Sequence, residues 1–278
     1  MDNELRVSGN VDRKGLAAVE QLIADEICDD AVYLESTAST NSLALAHIGA
    51  AAHANAEARG QSVLFLADSQ TAGRGRHGRT WQSDDTTLTF SLIWSPPIDS
   101  IDVLKKVSLA VGVGIARCLE FEFAPLKTKL KWPNDVYIDR GKVAGILLET
   151  SPSAIPEVVI GVGLNVGSRP DLGDDPNSQS VRSLQESLQR TIHRYDLLVA
   201  VVTSIVETLT ETVANPNVVV GEFRNRCYLT GHTITFQKGS ATRQGKCVGI
   251  NDEGELVVET NSGQSTLQSG EANLVRAT

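Results

Sequence analysis

Several things are scarce in this sequence of 278 residues. It has four cysteines, Cys28, Cys118, Cys227 and Cys247, spread widely and without a CxxC pair. That scatter argues against a disulfide framework or a zinc site and fits a reducing cytoplasm. The five histidines, His47, His53, His77, His193 and His232, show no HExxH or related spacing, so no metal centre is predicted from them. No apolar run approaches the ~20 residues of a bilayer span, and Met1–Lys14 lacks the apolar core of a secretory signal. Basic residues are outnumbered 25 to 34, for a formal charge of -9. A protein built to grip duplex nucleic acid needs a basic face instead. Repeats of 20–50 residues are also lacking, which excludes solenoids and propellers.

What is present is an ordinary globular composition, 41% hydrophobic and 21% charged, in a chain long enough for one large domain and a small companion. Leu16, Val19, Leu22, Ile23 and Ile27 are spaced for a helix, and Ser39 or Thr40 offers an N-cap for a second. Val63–Ala67 has strand length, and Thr86–Trp94 alternates as a half-buried strand would. Asp102–Glu120 repeats as one helix, and Asp196–Val213 as another, stopped by Asn215–Pro216. Strands are predicted at Thr128–Trp132, Val136–Ile138, Lys142–Glu149 and Glu157–Val166, with a loop over Gly167–Ser180. From Gly231 onward, short β-type runs alternate with glycine turns, which suits a small barrel.

Gly73-Arg74-Gly75-Arg76-His77-Gly78 formally matches the dinucleotide fingerprint GxGxxG. That fingerprint needs a helix opening at its third glycine, whereas here Arg79-Thr80-Trp81 and a strand follow. Glycines that expose backbone N–H groups, with three arginines alongside, suit phosphate oxygens better. Taken alone, the same loop also reads as a solvated basic turn. Lys131-Trp132-Pro133-Asn134-Asp135 places a cation, an aromatic, a turn and a carboxylate together, and Lys142 follows at the foot of the next strand. A lysine there either snorkels to solvent or points at an anion.

Four segments together resemble the ordered signatures of biotin protein ligases: Ser39-Thr40-Asn41, Gln70–Trp81, Lys131–Gly145 and Ile160–Val166. Gly249–Leu256 and Ser269-Gly270-Glu271 resemble the small C-terminal barrel of that family. The resemblance implies an α+β fold: a mixed, mostly antiparallel sheet flanked by helices, of the class II synthetase type, with an SH3-like barrel after it. The implied division is a helical extension (1–30), a catalytic domain (31–225) and the barrel (226–278). Because only about thirty residues precede the Tyr33–Glu35 strand, the type expected is the one without an N-terminal DNA-binding domain.

The implied chemistry is cytoplasmic protein biotinylation. Biotin and ATP give biotinyl-AMP and pyrophosphate, with Mg2+ expected from the ATP chemistry, and biotin then passes to a lysine of a biotin carboxyl carrier protein domain of a carboxylase. By the same resemblance, Arg76, Lys142 and Asp135 are catalytic. Biotin is met by Ser39, Thr40, Asn41, Gln70, Gly73, Arg74, Arg76, Lys142 and Gly145. The adenylate is met by Gly73, Arg74, Gly75, Arg76, Gly78, Arg79, Trp81, Lys131, Trp132, Asn134 and Asn165. Nucleic acid and membrane are not expected partners, and a homodimer through an exposed sheet edge stays open. The family often has arginine where this chain has His77, whose titration near neutrality would make loop ordering depend on pH. Three glycines and no apolar anchor before Trp81 predict a loop that orders over its ligand. Three alternatives stand beside this reading: a lipoate ligase, a biotin-sensing repressor, and a biotin-binding protein without activity.

Overall fold

The computed structural model describes residues 4–53, 61–97, 101–150, 157–170, 181–238 and 241–275. Parts of two expected connections, 54–60 and 171–180, lie outside them. The helix expected over 16–27 is α1 (Arg13–Ala24), whose N-cap Asp12 accepts hydrogen bonds from the amides of Lys14 and Gly15. It follows β1 (Leu5–Ser8), a strand the sequence reading lacks, and leads into β2 (Asp30–Thr37). Then come α2 (Thr40–His53), β3 (Val63–Gln70) and β4 (Thr87–Trp94). The helix expected over 102–120 is broken into α3 (Ile101–Leu104) and α4 (Val107–Glu122). Strands β5 (Thr128–Lys131), β6 (Asp135–Ile138), β7 (Gly141–Thr150) and β8 (Val158–Asn165) follow as a meander, and α5 (Leu184–Leu188) comes next.

These eight strands form one sheet in the order β1-β2-β3-β4-β8-β7-β6-β5. Pairing is parallel from β1 to β3 and antiparallel across the rest. The fold is therefore α+β with a mixed, mostly antiparallel sheet, as expected. A large core lies between the sheet and α1, α4, α6 (Leu198–Ala214) and α7 (Pro216–Arg226). Helix α2 covers the other face through Ala44 and Ile48, packed with Val63, Phe65, Ile93 and Val159.

Three expectations change here. Strand β4 is not half-buried: Thr87–Ile93 are all buried, because the threonine and serine side face α2 rather than water. Pro216 does end α6, but it also opens α7, since the first turn of a helix has no use for the missing N–H. The segment Arg194–Ala214 is long and apolar enough to cross a membrane, contrary to the expected absence of such a run. Its Leu198, Val201, Val202, Ile205 and Leu209 are buried in the core against α4 and the sheet.

The C-terminal unit is a five-stranded antiparallel sheet in the order β12-β11-β10-β9-β13, formed by β9 (Thr233–Lys238), β10 (Ala241–Ile250), β11 (Leu256–Thr260), β12 (Gly263–Leu267) and β13 (Ala272–Leu274). It has one strand more than the sequence reading, because Gly263–Leu267 offers few apolar residues to read. The unit is joined to the eight-stranded sheet by the Trp132 indole, which donates to the carbonyl of Gly254 at 3.1 Å. All four cysteines are buried free thiols.

Helices α4 and α6 approach closely at Gly114, where an added Cβ would lie 2.9 Å from Ile205 Cα and from the carbonyl of Ser204. Gly114→Ala is expected to force the helices apart and destabilise the protein by about 1–3 kcal/mol. Urea denaturation measures this, and a wild-type midpoint would refute the close contact.

Candidate active site

Register places the site. One row of directly paired residues crosses the sheet: Thr89 of β4, Gly163 of β8, Gly145 of β7, Asp135 of β6 and Lys131 of β5. Two glycines at the centre of the row leave a strip of sheet without side chains. Ser91 opposite Gly161 and Gly161 opposite Leu147 form a parallel row one pleat away. At Gly161 and Gly163 side chains approach the backbone closely. A Cβ on Gly161 would meet Asn41 Oδ1 at 2.1 Å, and one on Gly163 would meet the Trp81 indole at 2.2 Å.

Trp81 comes from the glycine–arginine loop, which folds back over this floor. Arg74 and Thr80 form an isolated antiparallel bridge, and a 3-10 turn at Arg76–Gly78 reverses the chain. Gly75 N donates to the carbonyl of Arg79 at 2.7 Å, and Trp81 N to that of Gly73 at 2.9 Å. Gly73 is needed because a Cβ would sit 2.3 Å from the carbonyl of Trp81. His77 and Gly78 both have positive φ, 56° and 73°. Such a turn favours glycine, and His77 carries the strain of an L-residue there.

One end of the pocket is polar and uncharged. Gln70 Oε1 accepts from the Thr40 amide at 2.8 Å and the Thr40 hydroxyl at 3.2 Å. The Ser91 hydroxyl lies 2.7 Å from the Thr40 hydroxyl and 2.6 Å from Asn41 Oδ1. Ser39, Thr40 and Asn41 are buried at the start of α2. The Leu43 amide donates to the carbonyl of Ser39 at 3.1 Å as the helix opens. Asn41 Nδ2 donates to Glu149 at 2.9 Å, and Glu149 also holds Arg74 in an ion pair.

The other end is cationic. Lys142 Nζ is 2.6 Å from Asp135 Oδ1 and 5.6 Å from the centre of the Trp81 ring. Arg76 donates to Asn134 Oδ1 at 3.1 Å and to the carbonyl of Gly270 at 3.3 Å. Burial lowers its pKa, with Glu271 and Asp135 opposing, and arginine stays charged throughout. Arg79 pairs with Glu271, and His77 Nε2 lies 3.8 Å from the same carboxylate. Burial likewise lowers the pKa of Lys131, partly offset by Asp135, and its Nζ donates to Asn273 at 2.9 Å.

Of the residues singled out from sequence, Ser39, Thr40, Asn41, Gln70, Arg74, Gly75, Arg76, Arg79, Trp81, Asn134, Asp135, Lys142 and Gly145 line one pocket. Lys131 and Trp132 line an adjoining crevice that also contains Arg76, Asn134 and Asp135. Gly73 and Gly78 belong to the outer side of the loop. Asn165 is not brought to the pocket; it is buried, with Nδ2 donating to the carbonyl of Arg182 at 3.2 Å. Sequence reasoning missed Thr89, Ser91 and Glu149. Alternation in β4 marked the first two as polar, but their burial follows only from α2. Two buried polar atoms of pocket-lining residues, Trp81 Nε1 and Thr89 Oγ1, have no partner among the described residues, as a site awaiting a polar ligand would show.

Residues 34–165 match the model of the Biotin/lipoate A/B protein ligase family, so the sheet and its pocket are of the biotin/lipoate ligase class. Residues 230–275 match the Biotin protein ligase C terminal domain. The two matches together span more than half of the chain, which belongs to the biotin protein ligase family. Relatives include the bifunctional ligase/repressor BirA of Bacillus subtilis, 29% identical over 77% of this chain and 66% of that protein. Another is the biotin--[acetyl-CoA-carboxylase] ligase of Mycobacterium tuberculosis, 40% identical over 53% of each. The chain thus spans just under two thirds of the first and about half of the second. Among solved structures, the biotin protein ligase of Aquifex aeolicus in complex with biotin and ATP superposes with a TM-score of 0.72 at 26% identity, covering 89% of this chain and 99% of that one.

Gly163→Ala puts a methyl group where Trp81 lies and is expected to weaken ligand binding in this pocket, with biotin as the probe, about tenfold or more, the scale that ångström-level misplacement reaches. Calorimetric titration reads the loss. Undiminished affinity would mean that Trp81 and its glycine floor do not shape the ligand site.

Proposed function

We propose that the protein is a cytoplasmic, ATP-dependent biotin protein ligase acting on a biotin carboxyl carrier protein domain. One observation carries this reading: a buried uncharged cluster and a group of cations share a single pocket. A neutral cyclic urea needs donors and acceptors without charge, which Ser39, Thr40, Asn41 and Gln70 offer. A carboxylate meeting a triphosphate needs fixed positive charge, which Arg76 and Lys142 offer at the other end, with Arg74 paired to Glu149 beside Asn41. The bound biotin and ATP of the Aquifex aeolicus ligase support the same pairing.

In the first step a biotin carboxylate oxygen attacks the α-phosphorus. The bond to the β-phosphate breaks, and pyrophosphate leaves. Negative charge builds on the phosphoryl oxygens, where Arg76 and the backbone N–H groups of 73–78 stabilise it. Lys142 holds the carboxylate and the oxygen that comes to bridge carbon and phosphorus. In the second step a lysine nitrogen of the acceptor attacks the carbonyl carbon, AMP departs, and the nitrogen loses a proton. Asp135 is the carboxylate at that end of the pocket and would take it once Lys142 turns to the adenylate.

Glu149 and Glu271 hold Arg74 and Arg79 through carboxylates, so phosphate oxygens would exchange one anionic partner for another. No group of three potential metal-ligating side chains gathers among the described residues. Mg2+ would therefore enter with the nucleotide, with Asp135 as its protein carboxylate. That suits an ion that usually keeps waters and binds through one or two carboxylates plus phosphates.

The decisive experiment incubates the protein with ATP, Mg2+, biotin and an apo carrier domain and follows acceptor mass. The expected result is one biotinyl addition, absent when lipoate replaces biotin. Addition of lipoate alone would overturn the choice of substrate, and no addition of either would overturn the reading. Lys142→Ala and Arg76→Ala should each cut biotin-dependent pyrophosphate exchange about a hundredfold or more, the usual scale for removing a transition-state donor. Wild-type turnover in both variants would sink the assignment of these residues.

A further inference from the structure

Antiparallel pairing of β3 with β4 ends at Ala67 opposite Thr89. Beyond that pair the two strands part and become the limbs of the segment bearing the glycine–arginine loop. Parting strands leave carbonyls without ladder donors, and buried carbonyls need other partners. Here a single guanidinium supplies them. Arg194, which opens the 3-10 turn before α6, is only 6% exposed. Its Nη1 lies 2.8 Å from the carbonyl of Asp68, 3.1 Å from that of Asp84 and 3.2 Å from that of Thr87. Its Nη2 donates to Asp68 Oδ1 at 3.0 Å. The same carboxylate oxygen accepts the hydroxyls of Tyr33, at 2.6 Å, and Tyr195, and the Tyr195 ring lies 4.6 Å from the guanidinium carbon.

The contacts fall at informative positions. Asp68 is two residues before Gln70, and Thr87 is two before Thr89, so in each strand the anchored carbonyl lies within two residues of a pocket-lining one. The next tie between the limbs, Gln70 N to the Ser83 hydroxyl at 3.3 Å, lies just beyond. We infer that Arg194 is a positioning residue whose guanidinium wedges the ends of β3 and β4 apart, setting the separation of Gln70 and Thr89 across the uncharged end of the pocket. This rests on the proposed use of that end to seat the cyclic urea of biotin. A planar fork with five donors can serve both strands and the carboxylate at once, which a lysine ammonium cannot. The wedge touches no cation of the nucleotide end, so its influence falls on biotin and not on ATP.

Arg194→Met, Arg194→Lys and a control, Val202→Ala, separate positioning from plain stability; Val202 is a fully buried residue of α6 that does not line the pocket. Steady-state pyrophosphate exchange gives KM for biotin and for ATP. Hydrogen exchange follows amides 68–72 and 83–89. In Arg194→Met the biotin KM should rise about tenfold with the ATP KM within about twofold, while those amides exchange about tenfold faster. The control should show neither change. Arg194→Lys should recover most of the loss, leaving a biotin KM about threefold above wild type. Equal behaviour of Arg194→Met and Val202→Ala overturns the inference. Should Arg194→Met fail to fold, a wild-type biotin KM in folded Arg194→Lys overturns it instead. A wild-type protein that shows no biotin-dependent exchange sinks the proposed function, and the amide comparison then decides the wedge alone.

Discussion

The pocket depends on strand register. Thr89, Gly163, Gly145, Asp135 and Lys131 come from five strands and from positions 89 to 163, yet they stand in one line across the sheet. Side chains alternate between faces with a period of two, so a slip of one residue in any pairing would send part of that line to the opposite side. The core guards against this. Leu88, Phe90 and Leu92 of β4 and Ile160, Val162 and Leu164 of β8 are all buried in the large cluster. A slip would drive polar β4 residues into that core. Burial of apolar residues on one face therefore fixes a polar row on the other.

Above this rigid floor the loop is held by charge. Arg74 is answered from β7 by Glu149, and Arg79 and His77 from the C-terminal unit by Glu271. Arg76 meets neutral acceptors, Asn134 and the carbonyl of Gly270. These contacts involve exposed or partly exposed groups, and exposed ion pairs contribute little to stability. They set where the loop lies more than how firmly the protein folds. The C-terminal unit takes part in this directly, through Gly270, Glu271 and Asn273 beside the cationic end.

Much of this was legible in the sequence, for identifiable reasons. Helices α1 and α6 announced themselves because one apolar face meets the core at helical spacing. The glycine–arginine loop and Lys131–Asp135 stood out because their residue types are costly or odd unless they meet a ligand. Other features were hidden. Strand β1 has one partly buried residue followed by three exposed ones, so no apolar alternation marks it. The buried side of β4 looked solvent-facing, because pocket-facing and water-facing polar residues alternate identically along a strand. Helix α7 was hidden behind Pro216, which reads as a stop although it also suits a start. Arg194 and Asp68 could not be paired from sequence, being 126 residues apart and joined only by the fold.

The tie between Trp132 and Gly254, with the contacts at Gly270–Asn273, also bears on the order in which the protein comes into being. Domains form from the N-terminus as the ribosome releases them. The eight-stranded sheet, with its uncharged cluster and glycine floor, can assemble while the segments that follow β9 are still within the ribosome. At that stage Arg76, Arg79 and Lys131 lack Gly270, Glu271 and Asn273, and Trp132 lacks its acceptor. A nascent chain would thus own a finished uncharged end of the pocket and an unfinished cationic one until β13 is threaded beside β9.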